Sequence, residues 1–378
     1  MSSSTETDYK FEGWAGLTAD ACKGEMSFQS FEPKKWDEDD VDVRIQYCGI
    51  CGSDVSALSG EWGPVDKVAP QICGHEIVGE VVKVGKAVEN DLKVGDIVGI
   101  GAQSDSCREC ESCKNGEENF CTKQTITFNA PYNRGSAASA GSVSRGGFAK
   151  YWRGPSRFAI SVPSTMDPAS AAPLFCGGVT VFSPLSEYGA GTTAKNVGVI
   201  GIGGLGHFAV QFASKMGAEV TAISRGENKK EDAIKLGATK YIATGGDVKR
   251  GIEGHQRSLD LIICTINPEE LPIHDYLPLL RPHGYFILVG VVPKPLAIPA
   301  FSLILANIKV GGSNIGSPAI IRKMLDFAAA HDIGTKKSPS KYIQKYNMND
   351  INKALPDFRD GKPRFRFVLV NTDNGGKL

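Results

Sequence analysis

The stretch from Val197 to Gly206, VGVIGIGGLG, constrains this chain more than any other. A short apolar run breaks into Gly201, Gly203, Gly204 and Gly206. Beyond the turn, Leu205, Phe208, Ala209, Phe212 and Met216 recur every three or four residues, on one helical face, and Gly217 supplies a stop. Strand, tight turn and amphipathic helix in that order predict the opening of a dinucleotide-binding βαβ unit. Without side chains the turn lets its backbone approach a pyrophosphate, which rests on the unpaired amides at the helix N-terminus. G-x-G-x-x-G alone would also fit a glycine-rich turn in any α/β protein, but here both flanks carry the required pattern.

The same alternation continues downstream. Val220 to Ser224, Leu259 to Ile266 and Tyr285 to Val291 read as strands, and Glu227 to Leu236 as a helix stopped by Gly237. This predicts a parallel, doubly wound sheet with ligand at the strand carboxyl ends. An acid at the end of the second strand would bond the adenosine ribose hydroxyls and repel a 2′-phosphate. Ser224 stands there instead, followed by Arg225, Lys229 and Lys230, a hydroxyl and cations suited to an anion. A solvated basic helix start is the plainer alternative, yet the helix dipole disfavours cations at that end. NADP(H) is therefore the expected cofactor.

The chain has ten cysteines in 378 residues, unevenly spread. Cys107, Cys110, Cys113 and Cys121 form C-x2-C-x2-C-x7-C, which predicts a closed tetrahedral zinc shell of structural type. Disulfides across two-residue loops would be strained, and the proline that follows the fourth cysteine in bacterial ferredoxins is missing. Earlier, in a β-rich region from Phe11 to Val82, Val41, Val43 and Ile45 alternate with Asp42, Arg44 and Gln46 as in a half-buried strand. That strand leads into CGICGSD, Cys48 to Asp54, and then Gly74-His75-Glu76. These are zinc ligand types, but Cys48 and Cys51 also read as a redox pair or buried thiols, and His75 as hydrogen-bonded structure. Thr122 to Gly147, rich in Gly, Ser, Ala and Asn, predicts a long functional or mobile loop bordering a substrate entrance. Met166 to Ala172 begins a helix leading to Cys176, Ser317-Pro318 opens another through about His331, and Arg364 to Val370 is a closing strand with Phe365, Phe367 and Leu369 on one face.

Lysine plus arginine equals aspartate plus glutamate at 42 each, so no net field draws the chain to nucleic acid or an anionic membrane; a small neutral partner is expected. The opening MSSSTETDYK has no basic stretch followed by an apolar core, and no run reaches the ~18 apolar residues that span a bilayer. The expectation is a cytoplasmic protein.

Taken together, the chain resembles the zinc-dependent medium-chain alcohol dehydrogenases, most closely their cinnamyl alcohol dehydrogenase-like, NADP-dependent branch. The resemblance runs nearly the whole length, through CGICGSD, GHE, the cysteine quartet, PLFCGGVTVFSP from Pro173 to Pro184, and GIGGLGHFAVQFASKMGA from Gly201 to Ala218. It implies an α/β protein with a GroES-like β-rich catalytic domain, 1–177 and 318–378, and a Rossmann domain with a doubly wound parallel sheet, 178–317. Two zinc ions per chain are implied, a structural one on the quartet and a catalytic one on Cys51, His75 and Cys176, with Glu76 as an occasional ligand. Asp54 would hold the histidine, and Ser53 would touch the substrate oxygen and pass its proton. The implied cofactor contacts are Thr180, Gly201, Gly203, Gly204, Leu205, Gly206, Ser224, Arg225, Lys229, Val289, Ser313 and Ile315. Where the family's proton relay ends in histidine, this chain has Ser56; Cys48 and Cys73 match no ligand position and read as packing residues.

The implied activity is a zinc- and NADP(H)-dependent alcohol dehydrogenase or aldehyde reductase for bulky apolar substrates, aromatic or medium-chain. Closure of an interlobe cleft would exclude water, and Trp62, Phe128, Tyr132, Phe301 and Ile315 are pocket residues by analogy. A homodimer joined by nucleotide-domain sheet edges is implied as well. Ser56 keeps open the reduction of activated C=N or C=C bonds on the same scaffold. A catalytically silent NADP(H)-binding protein is opposed by the intact Cys51, His75, Cys176 and Ser53.

Overall fold

The computed structural model describes residues 7–67 and 69–378; Val68 and the first six residues, part of the N-terminal stretch read above, lie outside it. The chain forms two compact units, Met1–Cys176 with Gly316–Leu378, and Gly177–Ile315.

In the second unit six parallel strands lie side by side in the order Lys240–Ala243, Glu219–Ser224, Asn196–Ile200, Leu259–Cys264, Leu280–Leu288 and Lys309–Gly312. Ile200, Ile223, Ile262 and Phe286 are part of the core beneath them. Strand order reverses at Asn196–Ile200, the point at which open parallel sheets bind ligands beyond their carboxyl ends, and the glycine turn follows it directly. Gly201 has a left-handed φ of 88°, and its N–H donates to the Ile223 carbonyl at 2.8 Å. A Cβ on Gly206 would fall on the Gly201 carbonyl, so the helix Gly206–Lys215 starts this close to the strand only with glycine. The two outer strands were not legible in the sequence: one is four residues long and the other ends in two glycines. The helix expected from Glu227 starts as a 3-10 turn, Glu227–Lys229, and becomes α-helical over Lys230–Lys235.

The first unit holds a seven-stranded sheet built on the long strand Asp40–Ile50. It pairs antiparallel with Ile77–Val84, with Arg366–Val370 at its carboxyl end, and with Tyr151–Pro155 at its start. Asp42, expected on a solvated face, is fully buried. It stands opposite Arg153, whose Nε and Nη2 donate to the two carboxylate oxygens at 2.7 and 2.8 Å, and the Tyr9 hydroxyl donates to the same carboxylate at 2.6 Å. The rings of Phe11 and Trp36 cover the guanidinium at 4.9 and 5.1 Å. The N-terminal segment thus folds over a face that alternation alone assigned to water. Likewise all of Arg366–Val370 is buried on both faces.

Within the stretch expected as a long functional or mobile loop, residues 129–144 form a hydrogen-bonded hairpin. Asn129 and Tyr132 donate to the carbonyls of Ser144 and Ser142, each at 2.9 Å, and the tip is pinned to Asp37 through the Ser136 N–H and the Ser139 hydroxyl. No single helix among the described residues is long and apolar enough to cross a membrane.

Removing one partner of a buried ion pair strands the other charge. Arg153→Met is therefore expected to lower the unfolding free energy by about 3–5 kcal/mol, read as a lower urea midpoint, and a loss of under about 1 kcal/mol would contradict the pairing.

Candidate active site

Cys51 follows the strand Asp40–Ile50 and caps the helix Gly52–Leu58. Asp54, fully buried in that helix's first turn, ties the neighbourhood together. One carboxylate oxygen accepts the Cys51 N–H at 2.9 Å; the other accepts the Gly74 N–H and faces His75 Nδ1, each at 2.9 Å. Gly74 has a φ of 94°, and a Cβ there would strike the Phe148 ring and the Cys48 sulfur, so the turn into His75 requires glycine. With Nδ1 engaged, the ring presents Nε2 to the Cys176 sulfur, 3.2 Å away.

Cys176 caps the 3-10 turn Ala172–Phe175, whose last residue seats it. The Phe175 ring and carbonyl occupy the space that side chains at Gly99 and Gly101 would take. The Cys176 Sγ then stands 4.0 Å from the Cys51 Sγ. Glu76 turns into room left by Gly49 and forms a buried ion pair with Arg366. Ligand-type atoms of Cys51, His75, Glu76 and Cys176 all lie within 4.8 Å of one another.

The electrostatics favour anionic sulfur. A hydrogen bond from the Cys176 thiol, together with the imidazole, holds Cys51 well below the usual thiol range despite burial, while Cys176, which keeps the shared proton, is pushed up. Burial alone would depress His75, but the charge and hydrogen bond of Asp54 outweigh it and raise its pKa. Burial pushes the Glu76 carboxyl up to about 7 against the pull of Arg366. A sulfur drawn toward its anionic form beside an imidazole drawn toward its protonated form is a charge pattern that a divalent cation replaces with release of protons. Spacing fits as well: two sulfurs bound to zinc at ~2.3 Å in a tetrahedron lie about 3.8 Å apart.

Cys107, Cys110, Cys113 and Cys121 form a second cluster of the same tightness, with Cys107 and Cys113 sulfurs 3.9 Å apart. Backbone N–H groups of Cys110, Cys107 and Lys123 point at the sulfurs of Cys107, Cys121 and Cys121, each at 3.4 Å. The N–H groups of Glu109 and Cys110 pull Cys107 down to about 6, and burial pushes Cys113 up to about 12. Four sulfur donors fill a tetrahedral shell, leaving nothing for a substrate. Arg108 and Arg157 both pair with Glu89, and Arg157 also reaches Glu118 at 2.5 Å, fastening this lobe to the body of its unit.

In the nucleotide unit, the space where a Gly203 Cβ would stand is open, which suits close approach of a pyrophosphate to the backbone. Gly204 and Leu205 complete that turn before the helix Gly206–Lys215. Ser224 ends its strand, Arg225 is exposed with no acidic partner among the described residues, and Lys229 closes the 3-10 turn. Lys230 pairs with Glu227 at 3.3 Å. Thr180 is buried in the helix Gly177–Glu187. Val289 and Ser313 donate to the carbonyls of Cys264 and Leu288, each at 3.0 Å, at the strand carboxyl ends, and Ile315 has a left-handed φ of 38°.

Other expected positions fall differently. Tyr132 is fully buried inside the hairpin and so cannot face a substrate. Phe128 is buried too, its ring 5.7 Å from that of His75, while Trp62 and Phe301 are exposed. Cys48 and Cys73 are fully buried outside the donor cluster. Ser53 lies in the first turn of the helix with its Oγ 3.9 Å from the Cys51 sulfur. Arg366 escaped sequence reasoning: it is 290 residues from Glu76 and sits in no motif.

Residues 37–164 match the family described as alcohol dehydrogenase GroES-like domain, and residues 204–330 the family described as zinc-binding dehydrogenase. A protein of Oryza sativa subsp. japonica named probable cinnamyl alcohol dehydrogenase 8A is 38% identical over 94% of each chain. The solved cinnamyl alcohol dehydrogenase of Sorghum bicolor superposes with a TM-score of 0.86 at 35% identity, covering 98% of this chain and 99% of that one. A Helicobacter pylori protein of the same name, solved in complex with NADP(H), superposes with a TM-score of 0.82 at 34% identity, over 96% and 98% of the two chains.

Since Asp54 fixes the histidine that faces the sulfurs, Asp54→Asn is expected to weaken zinc binding at this cluster roughly 10- to 100-fold in competition with a chromogenic chelator. Unaltered affinity would contradict the role.

Proposed function

From the premise that this chain belongs to the zinc-dependent medium-chain dehydrogenases, in their cinnamyl alcohol dehydrogenase-like branch, we propose that it is an NADP(H)-dependent alcohol dehydrogenase or aldehyde reductase. Its substrates are bulky, apolar primary alcohols and aldehydes. The observation that carries this reading is the convergence of Cys51, His75 and Cys176 from three distant parts of the chain on one point. Two cysteines and a histidine are the ligand set of the alcohol dehydrogenase catalytic zinc, which leaves a fourth position open.

Cys51, His75 and Cys176 would hold that ion, with Glu76 in reserve, and the four cysteines from Cys107 to Cys121 would hold a second, structural one. Bound there, zinc supplies a Lewis acid to the substrate oxygen, and NADP(H) supplies or accepts the hydride. The chain's own residues do the rest. Asp54 keeps the proton on His75 Nδ1, so that Nε2 remains the ligating nitrogen. Ser53 Oγ takes the hydroxyl proton of the alcohol on oxidation as it hands its own proton on toward Ser56, and the transfer runs in reverse on reduction. Ser56, on the same helix, passes the proton on to water where the family has histidine. The buried Phe128 ring beside His75 keeps water from the imidazole.

NADP(H) is supported by Ser224 and the exposed Arg225, which has no acidic partner among the described residues, where an NAD enzyme carries an acid, and by the related Helicobacter pylori protein solved with that cofactor. Ser56 in place of the family's histidine keeps open, as a second reading, reduction of activated C=C or C=N bonds on the same site.

A homodimer is part of the proposal. Among the described residues, the strand Lys309–Gly312 ends its sheet with one edge unpaired, and Val291, Phe301, Ile304 and Leu305, in the segment leading to it, are each more than two-thirds exposed. A second copy continuing the sheet would cover such an edge and such residues.

Aromatic aldehydes are expected to be reduced with NADPH at least roughly tenfold more efficiently than with NADH, in kcat/KM. A preference for NADH would contradict the cofactor assignment, and faster turnover of enones or iminium ions than of aldehydes would favour the second reading. Cys176→Ala should abolish turnover with its melting temperature kept, whereas Cys107→Ala should melt earlier; equal destabilisation by both would break this division of roles. Sedimentation should give a dimer that Ile304→Glu dissociates, and a wild-type monomer would contradict the pairing.

A further inference from the structure

The turn that carries Arg225 is fastened from the neighbouring strand. The carbonyls of Ser224 and Arg225 accept the N–H groups of Thr244 and Gly245 at 2.9 and 2.8 Å, and the carbonyl of Gly226 accepts the Tyr241 hydroxyl at 2.5 Å. The first two are backbone bonds that almost any residue supplies. The third depends on one side chain, and it falls at a glycine, the residue with the widest backbone freedom. Gly226 lies between Arg225 and Lys229, the cations assigned above to the 2′-phosphate. Tyr241 itself stands opposite Ala222 in the parallel pairing, so its ring reaches past the end of Glu219–Ser224 to meet the turn.

We propose that Tyr241 is a positioning residue for the selection of NADP(H) over NAD(H): by fixing Gly226 it holds Arg225 and Lys229 in place for the adenosine 2′-phosphate. The inference rests on the NADP(H) reading above. A turn that is ordered before the ligand arrives loses less conformational entropy on binding than one that must be ordered by it. Both cofactors would place the adenosine ribose at the end of Glu219–Ser224, but only a ligand carrying the 2′-phosphate draws on Arg225 and Lys229. The pyrophosphate would lie at the glycine turn after Asn196–Ile200, and NAD(H), which lacks the 2′-phosphate, does not depend on the fixing of those cations.

The test is Tyr241→Phe in the full-length, zinc-loaded enzyme, which removes the hydroxyl and leaves the ring. The KM for NADPH should rise roughly three- to tenfold with kcat unchanged, and the constants for NADH and the melting temperature should stay put. Inhibition by adenosine 2′,5′-bisphosphate should weaken by the same factor, and inhibition by 5′-AMP should not. If wild type prefers NADPH and Tyr241→Phe leaves that preference intact, or weakens both cofactors equally, the role of Tyr241 is overturned and the NADP(H) reading stands. A wild type that does not distinguish adenosine 2′,5′-bisphosphate from 5′-AMP overturns both.

Discussion

One buried carboxylate sets the geometry on which the candidate active site depends. Asp54 bonds the backbone of Cys51, the backbone of Gly74 and the imidazole of His75, so it joins the end of one strand to the turn before another and aims a ring nitrogen at the same time. A fully buried carboxylate is costly to desolvate unless each of its oxygens finds donors. Here both do, and the donors are the elements that must converge. Structure and chemistry therefore share the same three hydrogen bonds.

Around that anchor, space is made by omission. Gly49 admits the Glu76 carboxylate, Gly99 and Gly101 admit Phe175, and Gly74 clears Phe148 and Cys48. In each case a missing side chain lets a functional residue, or the turn that seats it, pack close. The nucleotide unit uses the same device at Gly201 and Gly206, where strand and helix nearly touch. Dense interiors tolerate little adjustment, so these glycines are as much a part of the site as the residues they make room for.

Features encoded locally were legible in the sequence. The cysteine quartet and the glycine turn are short motifs whose spacing is their geometry, and the inner strands of the nucleotide sheet announce themselves as apolar runs. The outer strands Lys240–Ala243 and Lys309–Gly312 do not, because what makes them strands is the neighbour they pair with. Asp42 misled for a related reason: alternation gives the face of a strand but not what covers it, and the cover comes from Phe11, Trp36 and Arg153. The grouping of Cys51, His75 and Cys176 came from family resemblance rather than from spacing, since over a hundred residues separate the two ends. Arg366 and Tyr241 carry no signal in the sequence, one being a remote ion-pair partner and the other a single hydroxyl on a short edge strand.

On the proposed reading, four sulfurs close one zinc shell, and two sulfurs and a nitrogen leave the other open. Zinc K-edge X-ray absorption on the purified protein, with metal content measured on the same sample, tests it most directly. The account predicts about two zinc ions per chain and a mean shell of about three sulfurs and one nitrogen or oxygen ligand. A single zinc per chain in an all-sulfur shell would contradict it.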